Sequence, residues 1–238
     1  MIQYERQQKI LQFLEKNQSA SIKELADAVF ASEASVRRDI ASLEEKGYVE
    51  HIYGGVLLSK YKNSVVPLDL RDGDNSAVKE KIAQRAAEHI FDGATIMLDS
   101  SSTARRIMHY LDGRRNLKII TNNIRLLNEL DSCDAQVWCT GGAYNRRDHA
   151  LVGYAAESYV NKINADLFFF SSQGISEDGE ITDASEEMTA LRRAMLSRSS
   201  RSFFLCDSSK LGVRRMFALC SKDDISGIIC DKPLPWEN

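Results

Sequence analysis

The sequence lacks any hydrophobic run long enough to cross a membrane. Its longest apolar runs, such as the one from Leu167 to Phe170, fall far short of the roughly 20 residues of a transmembrane helix. The first ten residues, MIQYERQQKI, contain no apolar signal-peptide core. With 43% hydrophobic and 27% charged residues, these absences predict a cytoplasmic globular protein with no membrane partner.

The sequence also lacks the motifs of metal and nucleotide sites. Its five cysteines and four histidines are dispersed, without a Cys-x-x-Cys or His-Glu-x-x-His spacing. There is no phosphate-binding GxxxxGK[ST] loop, and no GxGxxG follows a predicted strand. We therefore expect no metal and no cofactor, and we expect free thiols, mostly buried, in a reducing compartment. The cysteines are Cys133, Cys139, Cys206, Cys220 and Cys230.

Residues 21 to 55 have the pattern of a helix, a tight turn, a second helix and a short hairpin. Ser21 and Glu24 fit a capping box at the start of the first helix, and Ser32 fits a cap for the second. Each helix has its own apolar stripe at helical spacing. A leading helix over residues 2 to 17 would complete a three-helix unit with a wing.

The exposed face of the second helix indicates what this unit does. If Val36 points inward, the 100° step per residue turns Ala34, Arg38 and Ala41 outward. Small residues around a central arginine suit a helix that enters the DNA major groove. A solvated helix pair with ordinary surface arginines is the alternative, but the two-helix-plus-wing context favours DNA binding. The expected contacts to base edges and phosphates come from Ser32, Ala34, Ser35, Arg37, Arg38, Ser42, His51 and Tyr53.

Positive charge is scarce for a DNA-binding protein. The net charge is −3, and the first 60 residues hold eight basic against nine acidic side chains. Phosphate contacts supply most of the sequence-independent affinity for DNA. We therefore expect modest affinity from each DNA-binding unit and a homodimer or homotetramer that pairs two half-sites on double-stranded operator DNA.

The chain divides into a DNA-binding domain over 1–58, a linker over 59–76 and a second domain over 77–238. The linker is polar and without periodicity. From residue 78 onward, amphipathic helical segments alternate with short strands that are apolar throughout. This alternation predicts an α/β domain with a mostly parallel sheet covered on both faces.

Small polar residues follow five of the predicted strands, where the carboxyl ends of a parallel sheet hold ligands. Hydroxyls at the start of a predicted helix over 104 to 111, a flexible Gly-Gly turn and the Lys210 ammonium suit a phosphate. Carboxylates and an amide suit sugar hydroxyls. Arg146 and Arg147 could close over an anion, although a charged loop is more often solvated. The candidate ligand-binding residues are Asp99, Ser100, Ser102, Thr103, Thr121, Asn122, Gly141, Gly142, Asp207 and Lys210.

Both halves of the sequence resemble the DeoR-type bacterial transcriptional regulators. In the first half the resemblance lies in Arg6, Ile10, Ser32, the Val36-to-Ile40 segment, Leu43-Glu44, Gly47 and Gly54-Gly55. In the second half, the family's D-S-G-S-T corresponds to Asp99 to Thr103 with Ser101 in place of glycine, and D-x-S-K corresponds to Asp207, Ser209 and Lys210. The T-N and G-G elements correspond to Thr121-Asn122 and Gly141-Gly142. The resemblance implies a winged helix-turn-helix joined to a sugar-phosphate sensor domain similar in fold to ribose-5-phosphate isomerase.

We therefore expect a DNA-binding transcriptional regulator, a repressor of carbohydrate metabolism genes whose operator binding is controlled by a phosphorylated sugar. The alternative is an isomerase-like enzyme fused to a DNA-binding domain, which would need a positioned carboxylate base. Asp166, Glu186 and Glu187 are candidates by position only. Because the segment after Phe170, SSQGIS, is neutral, we predict no catalytic residue.

Overall fold

The computed structural model describes residues 3–17, 19–45, 48–58, 75–132 and 134–236. The chain separates into two compact units, Met1–Val66 and Pro67–Asn238. Residues 59–74 of the predicted linker, the predicted helix end at Gly47 and the thiol of Cys133 lie outside the described residues. Within the described residues no helix has the length and apolar character needed to span a bilayer.

Among the described residues, the amino-terminal unit consists of three helices and a small antiparallel sheet. The helices are α1 (Gln3–Asn17), α2 (Ile22–Ala28) and α3 (Glu33–Glu45), and the strands are β1 (Ser19–Ala20), β2 (Val49–Ile52) and β3 (Gly55–Leu58), in the order β1-β3-β2. The expected capping box is present, since Ser21 and Glu24 each bond the other's backbone amide. Ile10, Leu25 and Ile40 are fully buried, so each helix contributes its apolar stripe to one core.

The second unit contains four α-helices and eleven strands among the described residues. The helices are α4 (Ser76–Ala87), α5 (Ser102–Arg105), α6 (Tyr154–Val160) and α7 (Glu186–Ser197), with 3-10 turns at Arg106–Tyr110, Arg125–Ser132, Ser208–Lys210 and Lys222–Asp224. The strands are β4 (Thr95–Leu98), β5 (Leu117–Thr121), β6 (Ala135–Cys139), β7 (Ala143–Asn145), β8 (Ala150–Val152), β9 (Ala165–Phe170), β10 (Gly174–Ile175), β11 (Glu180–Asp183), β12 (Ser199–Cys206), β13 (Phe217–Ser221) and β14 (Gly227–Cys230).

Six of these strands form the predicted parallel sheet, in the order β14-β12-β9-β4-β5-β6. All five pairings between neighbours are parallel. Leu167 and Phe169 face one buried cluster, and Phe168 and Phe170 face a second. Because successive side chains of a strand point to opposite faces, a strand covered on both faces is apolar throughout, which explains the run in β9.

Two antiparallel elements were not predicted from the sequence. The β7–β8 hairpin and the three-stranded sheet β10-β11-β13 lie outside the parallel sheet. The possible strand at residues 217–220 is present as β13, but it pairs with β11. The helices expected over 104–111 and 124–130 are mainly 3-10. The four described cysteines are free thiols; Cys206 and Cys230 are buried, whereas Cys139 and Cys220 are partly exposed.

Candidate functional site

The outer face of α3 carries the side chains that the sequence analysis assigned to it. Ala34, Arg38 and Ala41 are exposed, whereas Val36 is fully buried. Ser35 and Ser42 lie half-buried on the flanks of this face. The result is a low-profile helix surface with a guanidinium near its centre, a shape that a major groove accepts.

The two arginines on this helix have different partners. Arg37 Nη2 lies 2.9 Å from Glu33 Oε2 in an exposed i,i+4 ion pair. Arg38 donates to neutral oxygens, from Nε to the Ala34 carbonyl at 3.3 Å and from Nη2 to Ser35 Oγ at 3.4 Å. Arg38 can therefore turn to a base edge by giving up two long, solvent-exposed bonds, whereas Arg37 must also leave a carboxylate.

Ser32 and the hairpin flank the outer face of α3. Ser32 Oγ accepts from the Ser35 amide at 3.3 Å, so it caps α3 as expected. His51 in β2 is held by Glu44, with Nδ1 2.8 Å from Oε2 and the backbone amide 3.2 Å from Oε1. Both hydrogen bonds from His51 lower the pKa of Glu44. Tyr53, at the tip of the hairpin, is fully exposed.

Sequence reasoning missed the buried carboxylate of α3. Asp39 is fully buried and paired with Arg6 of α1. Its position carried a signal, because Asp39 lies three residues after Val36 and four before Leu43, on the apolar stripe itself. A charged residue on such a stripe requires a buried partner of opposite charge.

In the second unit, the five polar loops follow five neighbouring strands of the parallel sheet. Starting from β4, the chain places β5 and β6 on one side of it and β9, β12 and β14 on the other. The order therefore reverses between β4 and β9, and crevices at such switch points are where open α/β sheets bind ligands. The loops that flank this point begin at Asp99 and Ser171.

Asp99 is at the centre of a buried ionic network. Its Oδ2 lies 2.7 Å from Arg192 Nε and accepts from the Ser171 amide at 3.2 Å, and its Oδ1 accepts from the Ser101 amide at 3.0 Å. Arg192 also reaches Asp183 Oδ2, at 2.8 Å. All three ionic side chains are at most 4% exposed. Asp99 thus fixes the two loops of the switch point and is committed to protein partners.

Lys210 lies against the loop that follows β9. Its Nζ is 2.6 Å from Ser171 Oγ and 3.2 Å from Asp207 Oδ2. Burial alone would raise the pKa of Asp207, but the charge of Lys210, a hydrogen bond from Ser209 and the charge of Lys79 together lower it. Lys79 of α4 is only 4% exposed. The charges of two lysines thus act on one carboxylate at this edge of the sheet.

The other predicted ligand residues line the same sheet edge. Ser100, Ser102 and Thr103 are at most 4% exposed, and it is Ser101 whose Oγ caps α5, by accepting from the Ala104 amide. Thr121 Oγ1 accepts from the Asn123 amide, and Asn122 Nδ2 donates to the Leu151 carbonyl. Within the part of the chain that the structure describes, the buried Oδ1 of Asn122 has no hydrogen-bond partner, which leaves an acceptor for a ligand hydroxyl.

The Gly-Gly turn has a packing role in addition to any contact with a ligand. Gly141 and Gly142 have φ of 70° and 112°, which glycine adopts readily. A Cβ on Gly142 would meet the Val152 carbonyl oxygen at 2.5 Å. In the adjacent β7–β8 connection Arg146 is exposed, and Arg147 Nε lies 3.7 Å from the buried carboxylate of Asp148.

Sequence reasoning also missed Lys79, Arg192 and Asp183. Arg192 lies four residues after Met188 and three before Met195, both of which are buried. It therefore lies on the apolar stripe of α7, as Asp39 does on that of α3. Lys79 carried a weaker signal, because a lysine at a helix start is usually solvated.

Both units match the models of known protein families. The model of the DeoR-like helix-turn-helix domain matches residues 6–62, and that of the DeoR C terminal sensor domain matches residues 74–232. The chain is 31% identical to the HTH-type transcriptional regulator GolR of Listeria innocua over 98% of this chain and 92% of that protein. It is 27% identical to the glycerol-3-phosphate regulon repressor of Escherichia coli over 99% of this chain and 93% of that protein. Among solved structures, ribose 5-phosphate isomerase A of Methanocaldococcus jannaschii is similar with a TM-score of 0.44 at 16% identity, covering 58% of this chain and 55% of that one.

Proposed function

The chain belongs to the DeoR family of helix-turn-helix transcriptional regulators, and from that premise we propose that it is a repressor released from its operator by a phosphorylated sugar. The main support for this proposal is that one chain has both an exposed helix face with Arg38 at its centre and a switch point of the parallel sheet that is lined by hydroxyls and lysines. The name of the Escherichia coli relative, a repressor of the glycerol-3-phosphate regulon, supports a small phosphorylated polyol or sugar as the effector.

We assign DNA contact to the outer face of α3 and to the wing. Arg38 is assigned to the base edges, because its present hydrogen bonds are long and go to neutral oxygens. Ala34 and Ser35 permit close approach, while Ser32, Arg37, Ser42, His51 and Tyr53 are placed for phosphates. The low positive charge of the unit favours a homodimer or homotetramer that engages two half-sites.

We assign effector binding to the switch-point edge of the second unit. Lys210, supported by Lys79, supplies positive charge for the phosphate, with Ser100, Ser102 and Thr103 as hydroxyl donors. Asn122 and Thr121 face the hydroxyl-bearing part of the effector, and Gly141 and Gly142 allow the backbone to approach the effector closely. Asp99 acts as a positioning residue, because its oxygens are already bonded, and Asp207 tunes Lys210.

An isomerase activity is the second candidate, and the placement of the carboxylates argues against it. Asp166 lies near the start of β9, and its Oδ2 accepts from the Thr95 amide at 2.8 Å, at the sheet edge opposite the site. Glu186 and Glu187 are exposed on α7, and Asp99 and Asp183 are locked by Arg192. No carboxylate among these is free at the switch point to take a carbon-bound proton.

A thermal-shift screen against phosphorylated sugars in phosphate-free buffer tests the sensing proposal. An effector at 100 times its dissociation constant adds about 2.7 kcal/mol to the folded state, which raises the melting temperature measurably. The hit should then release the protein from a duplex selected from a random DNA pool. Incubation of the hit with the protein should return it chemically unchanged, whereas steady conversion of ribose 5-phosphate would establish the enzyme instead.

Variants of the two units should separate the two activities. Arg38→Ala should weaken binding to the selected duplex at least tenfold while the thermal shift persists, and Arg37→Ala serves as the matched control with a smaller effect. Lys210→Met combined with Ser102→Ala should abolish the thermal shift while DNA binding persists, with Lys222→Met as its control. If the double variant still responds to the effector, the phosphate does not bind at Lys210 and Ser102.

A further inference from the structure

Two cysteines lie side by side at the border of the parallel sheet. Cys206 ends β12 and Cys230 ends β14, and the two residues are register partners on adjacent strands. Adjacent strands are about 4.8 Å apart, within the Cα separations of about 4.4–6.8 Å that disulfides span. Both side chains belong to the same buried cluster. We propose that Cys206 and Cys230 form a reversible oxidation site that reacts with a low-molecular-weight disulfide and closes to an intramolecular disulfide.

The different pKa values of the two thiols divide the chemical roles. The interaction with the neighbouring Cys206 thiol lowers the pKa of Cys230 to about 7, and the interaction with Cys230, together with burial, raises the pKa of Cys206. The Cys230 thiolate attacks one sulfur of the oxidant and displaces the other as a thiolate, which forms a mixed disulfide. Cys206 then attacks the Cys230 sulfur, gives its proton to the first leaving thiolate and displaces the second as a thiolate, which takes up the proton that Cys230 had released to solvent. Two protein thiols are oxidised and one oxidant disulfide is reduced to two thiols.

The position of the pair gives an oxidant a route to it. β14 is an edge strand of the sheet, and the segment after it, with Leu234 and Trp236, packs over the same cluster without forming a helix or strand. Opening of such a short segment is the kind of local fluctuation that exposes buried groups. By contrast, burial raises the pKa of Cys220 to about 12 and also raises that of Cys139, so neither thiol is expected to start the exchange as Cys230 does.

The pair adjoins the loop that carries Lys210. Asp231, next to Cys230, accepts from the Ser208 amide at 2.6 Å and from Ser208 Oγ at 3.0 Å. Asp207, next to Cys206, pairs with Lys210. A covalent bond between the sulfurs draws the two strand ends together and shifts this loop. The consequence for effector binding rests on the proposed function, whereas formation of the disulfide does not.

The test uses native full-length protein equilibrated with oxidised glutathione, then alkylated in denaturant and mapped by mass spectrometry. Before alkylation we expect the intact mass to be lower by two hydrogen atoms. After alkylation the peptides with Cys206 and Cys230 should be joined, and dithiothreitol should reverse the change completely. Cys206→Ser should stop at a glutathione mixed disulfide on Cys230. Cys220→Ser is the matched control and should close the bridge as the unaltered protein does.

The outcomes separate the two claims. Retention of both thiols at equilibrium, glutathione left on Cys230 in the unaltered protein, or a bridge to another cysteine overturns the oxidation site. Because mapping involves neither DNA nor effector, its result stands whatever becomes of the proposed function. Where the bridge forms, the apparent affinity for the screened sugar phosphate, measured by thermal-shift titration, should fall at least tenfold. An unchanged affinity would overturn the coupling between the disulfide and the ligand-binding edge.

Discussion

Arg6 of α1 and Asp39 of α3 form a two-point ion pair in the interior of the amino-terminal unit. Arg6 Nε lies 2.5 Å from Asp39 Oδ2, and Nη2 lies 3.3 Å from Oδ1. The Asp39 side chain is fully buried and that of Arg6 is 16% exposed. The pair fixes the rotation of α3 about its own axis, which determines the side chains that α3 presents outward.

Arg6→Ala should therefore destabilise the amino-terminal unit by about 3 kcal/mol, because it leaves a buried carboxylate without its partner. Hydrogen exchange of the slowest α3 amides measures this loss in the full-length protein. Glu33→Ala, which removes the exposed partner of Arg37, is the control and should change exchange far less. Equal effects of the two variants would show that the buried pair has no special role.

Phe30→Gly should stabilise the same unit by about 1 kcal/mol. Phe30 occupies the turn between α2 and α3 with φ of 51°, and its side chain is 91% exposed. The left-handed conformation costs a residue with a Cβ about 1–2 kcal/mol, which exceeds the extra chain entropy of glycine. The same α3 amides should exchange more slowly in Phe30→Gly, and Phe30→Ala should give no gain. If the α3 amides also exchanged more slowly in Phe30→Ala, the exposed ring, and not the backbone conformation, would be the source of the instability.

Arg192→Met should destabilise the second unit by at least 3 kcal/mol, since it leaves Asp99 and Asp183 as neighbouring buried carboxylates. Both tryptophans of the chain, Trp138 and Trp236, lie in this unit, so their fluorescence in a urea titration reports its unfolding. Adding Asp99→Asn and Asp183→Asn should restore much of the loss. Arg214→Met is the matched control, because Arg214 also bridges two carboxylates but is exposed.

His89 should make the second unit less stable as the pH falls below about 6.5. Burial, with the charges of Arg201 and Arg85, lowers its pKa in the folded protein, whereas the unfolded chain titrates near 6.5. The unfolded state therefore binds the proton first, and the contribution of His89 is lost as the pH falls through the lowered pKa. The free energy of unfolding from urea titrations should differ less between pH 7.5 and pH 5.5 in His89→Gln than in the unaltered protein. An equal difference in the two proteins would exclude His89 as the cause.

The sequence was sufficient for the parts of the fold that repeat a period over several residues. Phe168 to Phe170 revealed a strand covered on both faces, and Val36, Ile40 and Leu43 revealed the inner face of α3. Strand β10 has two residues and β7 has three, too few for any periodicity, so the antiparallel elements escaped prediction.

The candidate site was predicted as a set of loops, but its internal pairing was not. Asp99 was expected to meet a ligand because it follows a strand, yet its partner Arg192 lies 93 residues later in the chain. Contacts between residues so distant in sequence leave no local pattern. The one available signal was a charge on an apolar stripe, which both Asp39 and Arg192 carried.

Lys79→Met should weaken the response to the phosphorylated sugar without unfolding the protein. Lys79 is buried in α4, and its charge acts on Asp207; methionine keeps the buried stem and removes the charge. Removing this charge leaves Lys210 as the lysine whose charge acts on Asp207, which weakens the attraction for an anion at this edge. We therefore expect at least a tenfold weaker apparent affinity in the thermal-shift titration. Lys81→Met, on the exposed side of the same helix, should leave the affinity unchanged. An effect of equal size from both lysines would indicate long-range attraction and remove Lys79 from the site.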